Sequence, residues 1–90
     1  MDFEWDERKA LANKRKHGVH FQEAATVFGD RFAVTFFDPD HSIMESRFLT
    51  FGFSAQKRLL VVAHTDRDDV TRIINARPMS RKEREIYEEA

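Results

Sequence analysis

The sequence predicts an α+β fold: a short amino-terminal strand, two helices, a four-stranded antiparallel sheet and a carboxyl-terminal helix. Three observations carry this. Leu59-Leu-Val-Val-Ala63 is an unbroken apolar run, too short for an isolated helix, and reads as a central strand buried on both faces. Segments of period two flank it, joined by turns of about four to eight residues, so neighbours in sequence should pair antiparallel. Helix signals are confined to the two ends of the chain, which separates α from β.

In chain order, Phe3-Glu-Trp5 alternates apolar and charged residues, as an edge strand or a clasp over the core would. Asp6 stands at an N-cap position and Glu7 suits a positive first turn, while residues 7 to 17 lack Pro and Gly and Gly18 follows as a C′ residue. The apolar face of this helix is thin, essentially Ala10 and Leu11. Phe21, Ala24, Ala25 and Phe28 recur at helical spacing and predict a second helix ended by Gly29-Asp30. From Phe32 the period becomes two, giving strands over 32–37, 45–53, 59–65 and 70–76. The turns between them fall at Asp38–Ser42, Ser54–Lys57 and Asp66–Asp69. Pro78 ends the extended run, and Ser80-Arg-Lys-Glu83 is a capping box that opens a last helix through Tyr87.

Ninety residues hold one domain and one core. Nine phenylalanines and a 41% hydrophobic share argue for packing rather than disorder. The absence of cysteine excludes disulfides, thiolate nucleophiles and thiolate metal sites, and fits a reducing compartment. No apolar run approaches membrane length and the acidic amino terminus is unlike a signal peptide, so the expected location is cytoplasmic, with no membrane partner. The net charge of −1 hides its distribution: five Lys/Arg and no acid lie between Arg8 and His17, a pattern compatible with nucleic-acid contact.

Strand parity gathers the polar residues. Glu45 and Arg47 share a face with Leu49, Phe51 and Phe53, and His64 shares one with Leu60 and Val62. Antiparallel pairing lets Glu45, Arg47 and His64 converge at one end of the sheet, with Arg67 and Arg72 nearby. Arg77 and Asn75 share a face with Ile73 and Thr71, and Arg72 points the other way. Arg77 lies at the far end of its strand, where it can meet Glu83 and Tyr87 of the last helix.

Such a set of Arg, His, Glu and Tyr suits phosphodiester cleavage of RNA, in which the 2′-hydroxyl is the nucleophile. Arginine matches phosphate geometry. His or Glu can accept a proton, and Tyr can stack a base or pass a proton. Each group has a plainer reading as a surface ion pair or a core cap. No metal site is expected: Gly18 separates His17 from His20, and His41 lies in a turn with Asp38 and Asp40. No cofactor is expected either, since no P-loop, dinucleotide fingerprint or serine-nucleophile motif occurs.

The segments Phe3-Glu-Trp-Asp6, Asn13-x-x-Lys16-His-Gly-Val19-x-Phe21-x-Glu23-Ala24-Ala25-x-Val27-Phe28, Glu45-x-Arg47, Arg58-Leu-Leu-Val-Val62-x-His-Thr65-x-Arg67 and Arg72-Ile-Ile-x-Ala-Arg77 resemble the BrnT toxins of bacterial type II toxin–antitoxin systems. The resemblance runs from residue 3 to about 88, nearly the whole chain. It implies a RelE-like fold, ribonuclease activity that blocks translation, and neutralisation by a BrnA-like antitoxin. That antitoxin would carry a ribbon-helix-helix domain, and the complex would bind operator DNA. It further implies that Arg47, Arg67, Arg77 and Tyr87 surround the scissile phosphate, with Glu45 or His64 as proton acceptor. Lys16, His17 and Arg72 would extend the RNA-facing surface. The thin first helix and exposed aromatics would be antitoxin surface. From another class comes a second reading: a non-catalytic partner of a DNA-binding repressor, acting in assembly and operon control only.

Overall fold

The computed structural model describes residues 1–89. The elements are β1 (Asp2–Glu4), α1 (Glu7–His17), α2 (Phe21–Thr26), β2 (Val34–Phe37), β3 (Phe48–Phe53), β4 (Leu59–Arg67), β5 (Val70–Pro78) and α3 (Arg81–Glu89). Single 3-10 turns lie at Val27–Gly29 and Pro39–His41. The α+β class is as expected, with one correction. The sheet has five strands in the order β1-β5-β4-β3-β2, not four, and it is mixed. β1 lies parallel beside β5, Phe3 opposite Thr71, while all other pairs are antiparallel. The two helices carry the chain from β1 to β2 at the opposite edge, and the antiparallel run β2 to β5 returns to lie beside β1, a pairing that short-range alternation in Phe3-Glu-Trp5 cannot encode.

The predicted central strand is β4. Its inner residues Leu60 to Thr65 are all buried. On one face α1 and α2 cover the sheet: Val19, Phe21, Ala24 and Val27 pack on Leu60, Val62, Ile73 and Ala76, and Phe3, Trp5 and Phe28 close the rim. Full burial of a side chain such as Phe21 contributes about 2–3 kcal/mol. On the other face α3 packs, laying Tyr87 beside Phe51, Val61 and Met79. Among the described residues, no other helix covers that face.

The helix ends follow the sequence signals. Asp6 accepts the amides of Arg8 and Lys9 at 2.8 and 3.3 Å, and Gly18 takes the left-handed C′ conformation at φ 71°. α2 is shorter than its apolar stripe implies, because its last turn tightens into the 3-10 turn over β3. The approach is close: a Cβ on Gly52 would lie 2.6 Å from Val27 Cγ1. β3 begins at Phe48, later than expected, since the Ser42 hydroxyl bonds the Asp38 carbonyl and the Arg47 amide, at 2.5 and 2.8 Å, and closes 38–47 as a loop. Among the described residues, no helix is long and apolar enough to cross a membrane.

One irregularity decides which face the basic residues occupy. Ala63 pairs with Asn75 and His64 with Ile73, leaving Ile74 as an extra residue in β5. This β-bulge shifts the alternation by one position. Ile73 therefore joins the helix-side core, whereas Asn75 and Arg77 emerge on the opposite, open face. The expectation that Ile73, Asn75 and Arg77 share a face is corrected. So is that of an opposed Arg72, which pairs with Thr65 in the same odd-numbered series of β4 as Val61 and Ala63.

Candidate functional site

The open face holds a hollow of about 190 Å³ lined by Asp38, His41, Arg47, Leu49, Ala63, Asn75 and Arg77. The floor is sheet: Leu49 and Ala63 are directly paired across β3 and β4, and Asn75 is the next partner across β5. Arg47, just before β3, and the turn residues Asp38 and His41 form the rim.

Asn75 and Arg77 also line a second hollow, of about 420 Å³, where α1 meets the edge of β5. Lys9, Lys16 and His17 are its helical wall. Here β1 has ended, and α1 replaces it as the cover of the edge. The Asn13 side chain accepts the Ala76 amide at 3.0 Å and donates to the Ala76 carbonyl at 2.8 Å, doing what a neighbouring strand would do. A second bond from Asn13 to the Val19 carbonyl, at 3.0 Å, ties the same contact to the end of α1. The two hollows make one basic band, from Lys9, Lys16 and His17 across Arg77 to Arg47. Among the described residues, the only acid in their walls is Asp38, and it is bonded to His41 at 2.8 Å.

Arg77 sits at the join. Its guanidinium forms a bidentate pair with Glu83 in the first turn of α3, at 2.6 and 2.8 Å. Glu83 also closes the predicted capping box, accepting the Ser80 amide at 2.8 Å, and its own amide donates to Ser80 Oγ at 3.2 Å. The Arg77 hydrogen bond, helped by Ser80 and opposed by burial, holds the Glu83 carboxyl down at about 2. Arg77 is thus a positioned fork of donors whose partner here is the Glu83 carboxylate, a geometry that phosphates also fit.

The other expected site residues are placed elsewhere. Arg67 pairs with Glu45 at 2.7 Å, both well exposed. Arg67 is opposite Val70 while Arg77 is opposite Val61, six positions along β4, so the two arginines stand about 20 Å apart along the sheet. Arg72 approaches Glu4 of β1 at 3.6 Å.

His64 is 2% exposed on the helix side, between the rings of Phe28 and Phe48. Both its nitrogens are engaged: Nε2 with Thr50 Oγ1 at 2.7 Å and Nδ1 with Asp66 at 2.9 Å. The expected meeting of His64 with Arg47 at one sheet end is corrected by this burial, which turns the imidazole away from the open face. Lys16 and His17 do meet Arg77, through the second hollow.

Tyr87 does not reach the hollows. Its hydroxyl donates to Asp30 at 2.6 Å, pinning α3 to the segment before β2. Burial, then the Asp30 carboxylate, pushes the Tyr87 phenol up to about 12. Burial would also raise Asp30, but hydrogen bonds from Tyr87 and from the Phe32 and Phe53 amides outweigh it, and its carboxyl is lowered. A hydroxyl so held is a tether. Tyr87→Phe is expected to reduce stability by about 1.5–3 kcal/mol, for one hydrogen bond to a charged group, and urea unfolding of the two proteins checks it.

Among the described residues, no three His, Asp or Glu side chains converge where a metal ion could be held. Two members of the band are not singled out by the sequence: Lys9 is one of a charged run, and His41 lies in a turn. For His41 the sequence does carry a signal. Residues three apart eclipse in a 3-10 turn, so Pro39 starting such a turn brings Asp38 onto His41.

Comparison with known proteins adds a family. Residues 5–83 match the family described as the ribonuclease toxin BrnT of type II toxin–antitoxin systems. The crystal structure of the Brucella abortus ribonuclease toxin BrnT superposes with a TM-score of 0.69 at 21% identity, covering 90% of this chain and 99% of that one. The two therefore share a fold. No curated protein matches the sequence.

Proposed function

Since the chain belongs to the BrnT family of ribonuclease toxins of type II toxin–antitoxin systems, we propose that it is a metal-independent endoribonuclease that inhibits translation in the cytoplasm. The observation that carries this reading is the basic band, in which Arg77 and Arg47 frame an open hollow and Lys9, Lys16 and His17 extend it along α1. Cleavage through the 2′-hydroxyl needs a proton acceptor, charge stabilisation at phosphorus and a proton for the 5′ oxygen. Arginines supply the second requirement without a bound ion. In this reading Arg77 and Arg47 neutralise the phosphorane, and Lys16 and His17 hold the flanking backbone. Arg67, Glu45 and Arg72 contact more distant nucleotides, while His64 and Tyr87 support the sheet and α3.

The partner is proposed to be a BrnA-like antitoxin with a ribbon-helix-helix domain, the complex binding operator DNA. Exposed apolar side chains offer it surface: Leu11 on α1, Phe36 and Phe37 on the edge strand, and Ile43 and Met44 in the loop before β3.

The test is cleavage of purified RNA, free and in a translating cell extract, by the isolated protein with EDTA present. Cleavage that persists in EDTA is expected. Cleavage abolished by EDTA would sink the metal-independent mechanism. A second reading draws on the ion pairs of Arg67, Arg72 and Arg77, which a non-catalytic partner of a DNA-binding repressor would also display. Growth arrest when the chain is expressed alone separates the two, because a scaffold would cause none.

A further inference from the structure

The basic band explains how an RNA phosphate would be held, but it leaves the proton acceptor unnamed. The two acceptors suggested by sequence are poorly placed. His64 is buried with both nitrogens bonded, and Glu45 is paired with Arg67 away from the hollow. One imidazole does open onto it. His41, in the 3-10 turn Pro39–His41, lines the hollow with Arg47 and Arg77, and its side chain is 64% exposed.

The imidazole is also oriented. Nδ1 lies 2.8 Å from Asp38 Oδ2, and the Asp38 side chain is only 12% exposed. A carboxylate accepts, so it selects the tautomer with the proton on Nδ1 and leaves the Nε2 lone pair available. Among the described residues, Nε2 has no hydrogen-bond partner. Asp38 is itself anchored: its carbonyl accepts the Ser42 hydroxyl at 2.5 Å and its amide donates to the Arg47 carbonyl at 2.8 Å. One loop thus places Asp38, His41 and Arg47 together.

We propose that His41 is the catalytic proton acceptor of the ribonuclease, with Asp38 as the positioning residue that fixes its tautomer. The assignment rests on the ribonuclease reading above and deepens it. In the step, His41 Nε2 takes the proton of the 2′-hydroxyl as the 2′ oxygen attacks phosphorus. The O2′–P bond forms and the P–O5′ bond breaks. Arg47 and Arg77 hold the non-bridging oxygens. Water gives the 5′ oxygen its proton, and the hydroxide left behind takes the proton from the imidazolium. The products are a 2′,3′-cyclic phosphate and a 5′-hydroxyl, with atoms and charge balanced.

The charged groups that line the hollow with His41 are Asp38 from its own turn, Arg47 from the approach to β3, and Arg77 from β5, the last paired with Glu83. β4 contributes only Ala63 to the hollow. Protonating the imidazole removes the acceptor, so cleavage should fall on the acidic side of the pH profile.

The experiment measures cleavage rates against pH for wild type, His41→Gln, Asp38→Asn, His17→Gln and Arg77→Ala, with circular dichroism as a folding control. His41→Gln is expected to lose at least 100-fold, within the range of general-base contributions, and to lose the acidic limb of the profile. Asp38→Asn is expected to lose about tenfold and to shift that limb, which a merely structural loop contact would not do. Long-range ¹⁵N–¹H spectra of the wild-type imidazoles, which need no activity, should show His41 protonated on Nδ1. If Arg77→Ala is inactive while His41→Gln cleaves within threefold of wild type, the assignment falls and the ribonuclease reading stands. A large loss in His17→Gln with none in His41→Gln moves the role to the α1 hollow, and a His41 ring protonated on Nε2 also overturns the proposal. A wild-type protein that cleaves no RNA overturns both readings together.

Discussion

Arg77→Ala is expected to lower RNA cleavage about 100-fold, the loss typical of removing one positioned donor from a developing oxyanion. The residue stands where the two hollows meet, so any backbone crossing the band passes it. Its fork is already formed on Glu83, whose carboxyl, held near 2, stays ionised throughout the physiological range. A phosphate can share or displace that carboxylate, but it cannot be held equally by an ammonium. Arg77→Lys should therefore keep the charge, lose the second parallel hydrogen bond, and fall between alanine and wild type. Stability should hardly change. The Arg77 side chain is 37% exposed, and exposed pairs contribute about 0–1 kcal/mol. Single-turnover cleavage and urea unfolding of the three proteins check this. An alanine variant within threefold of wild type would remove Arg77 from the mechanism.

The largest expected stability effect lies on the far side of the molecule, at Glu23 of α2. Its carboxylate is 2% exposed. It accepts Arg58 Nε at 2.9 Å and the Ser54 hydroxyl at 2.7 Å, and pairs with Arg58 through a second, terminal nitrogen. Arg58 also donates to the Gly18 carbonyl at 3.1 Å, so one guanidinium joins the end of α1, α2 and the β3–β4 turn. Arg58→Ala leaves a buried charge uncompensated and should cost about 3 kcal/mol, the low end for such pairs because Arg58 itself is 40% exposed. Glu23→Ala should cost less, about 1–2 kcal/mol, since the freed arginine can turn to water.

The pH dependence separates this account from a packing effect. In the wild type the Arg58 hydrogen bond, joined by Ser54 and opposed by burial, lowers the Glu23 carboxyl. A carboxyl lowered on folding adds stability above its ordinary value of 4.5, and that stability is lost as the pH falls through the lowered value. Without Arg58 burial is opposed chiefly by the weaker Ser54 bond, so the carboxyl rises from its wild-type value and protonation relieves the strain. The stability gap between wild type and Arg58→Ala should narrow from pH 7 to pH 4. A constant gap in urea midpoints, or equal losses in the two single variants, would contradict the buried-charge account.

Much of the frame was legible because it rests on local signals. The caps at Asp6, Gly18 and Ser80, the apolar run of β4 and the turn clusters each act over a few residues, and each is found in the fold. The basic run of α1 and the placement of Arg77 beside Glu83 were likewise readable from spacing alone. Four features were not. β1 joins the sheet in parallel with β5, a pairing between the two ends of the chain that its own three residues do not encode. The extra Ile74 in β5 reverses the faces of everything after it, because a period-two pattern carries no mark of where a bulge falls.

His64 shows the same limit from the other side. An imidazole at the end of an apolar strand looks like a delivered functional group, yet the approach of Phe28 and Thr50 makes it core. His41 looks like a turn residue, yet loop closure through Ser42 lays it with Arg47 over an open sheet. The caps, the core of β4 and the existence of the helices were readable because they depend on neighbours within about one turn. Which histidine is buried, which is exposed and which arginines share a face follow from the packed fold, since burial and facing belong to pairs of residues far apart in the chain.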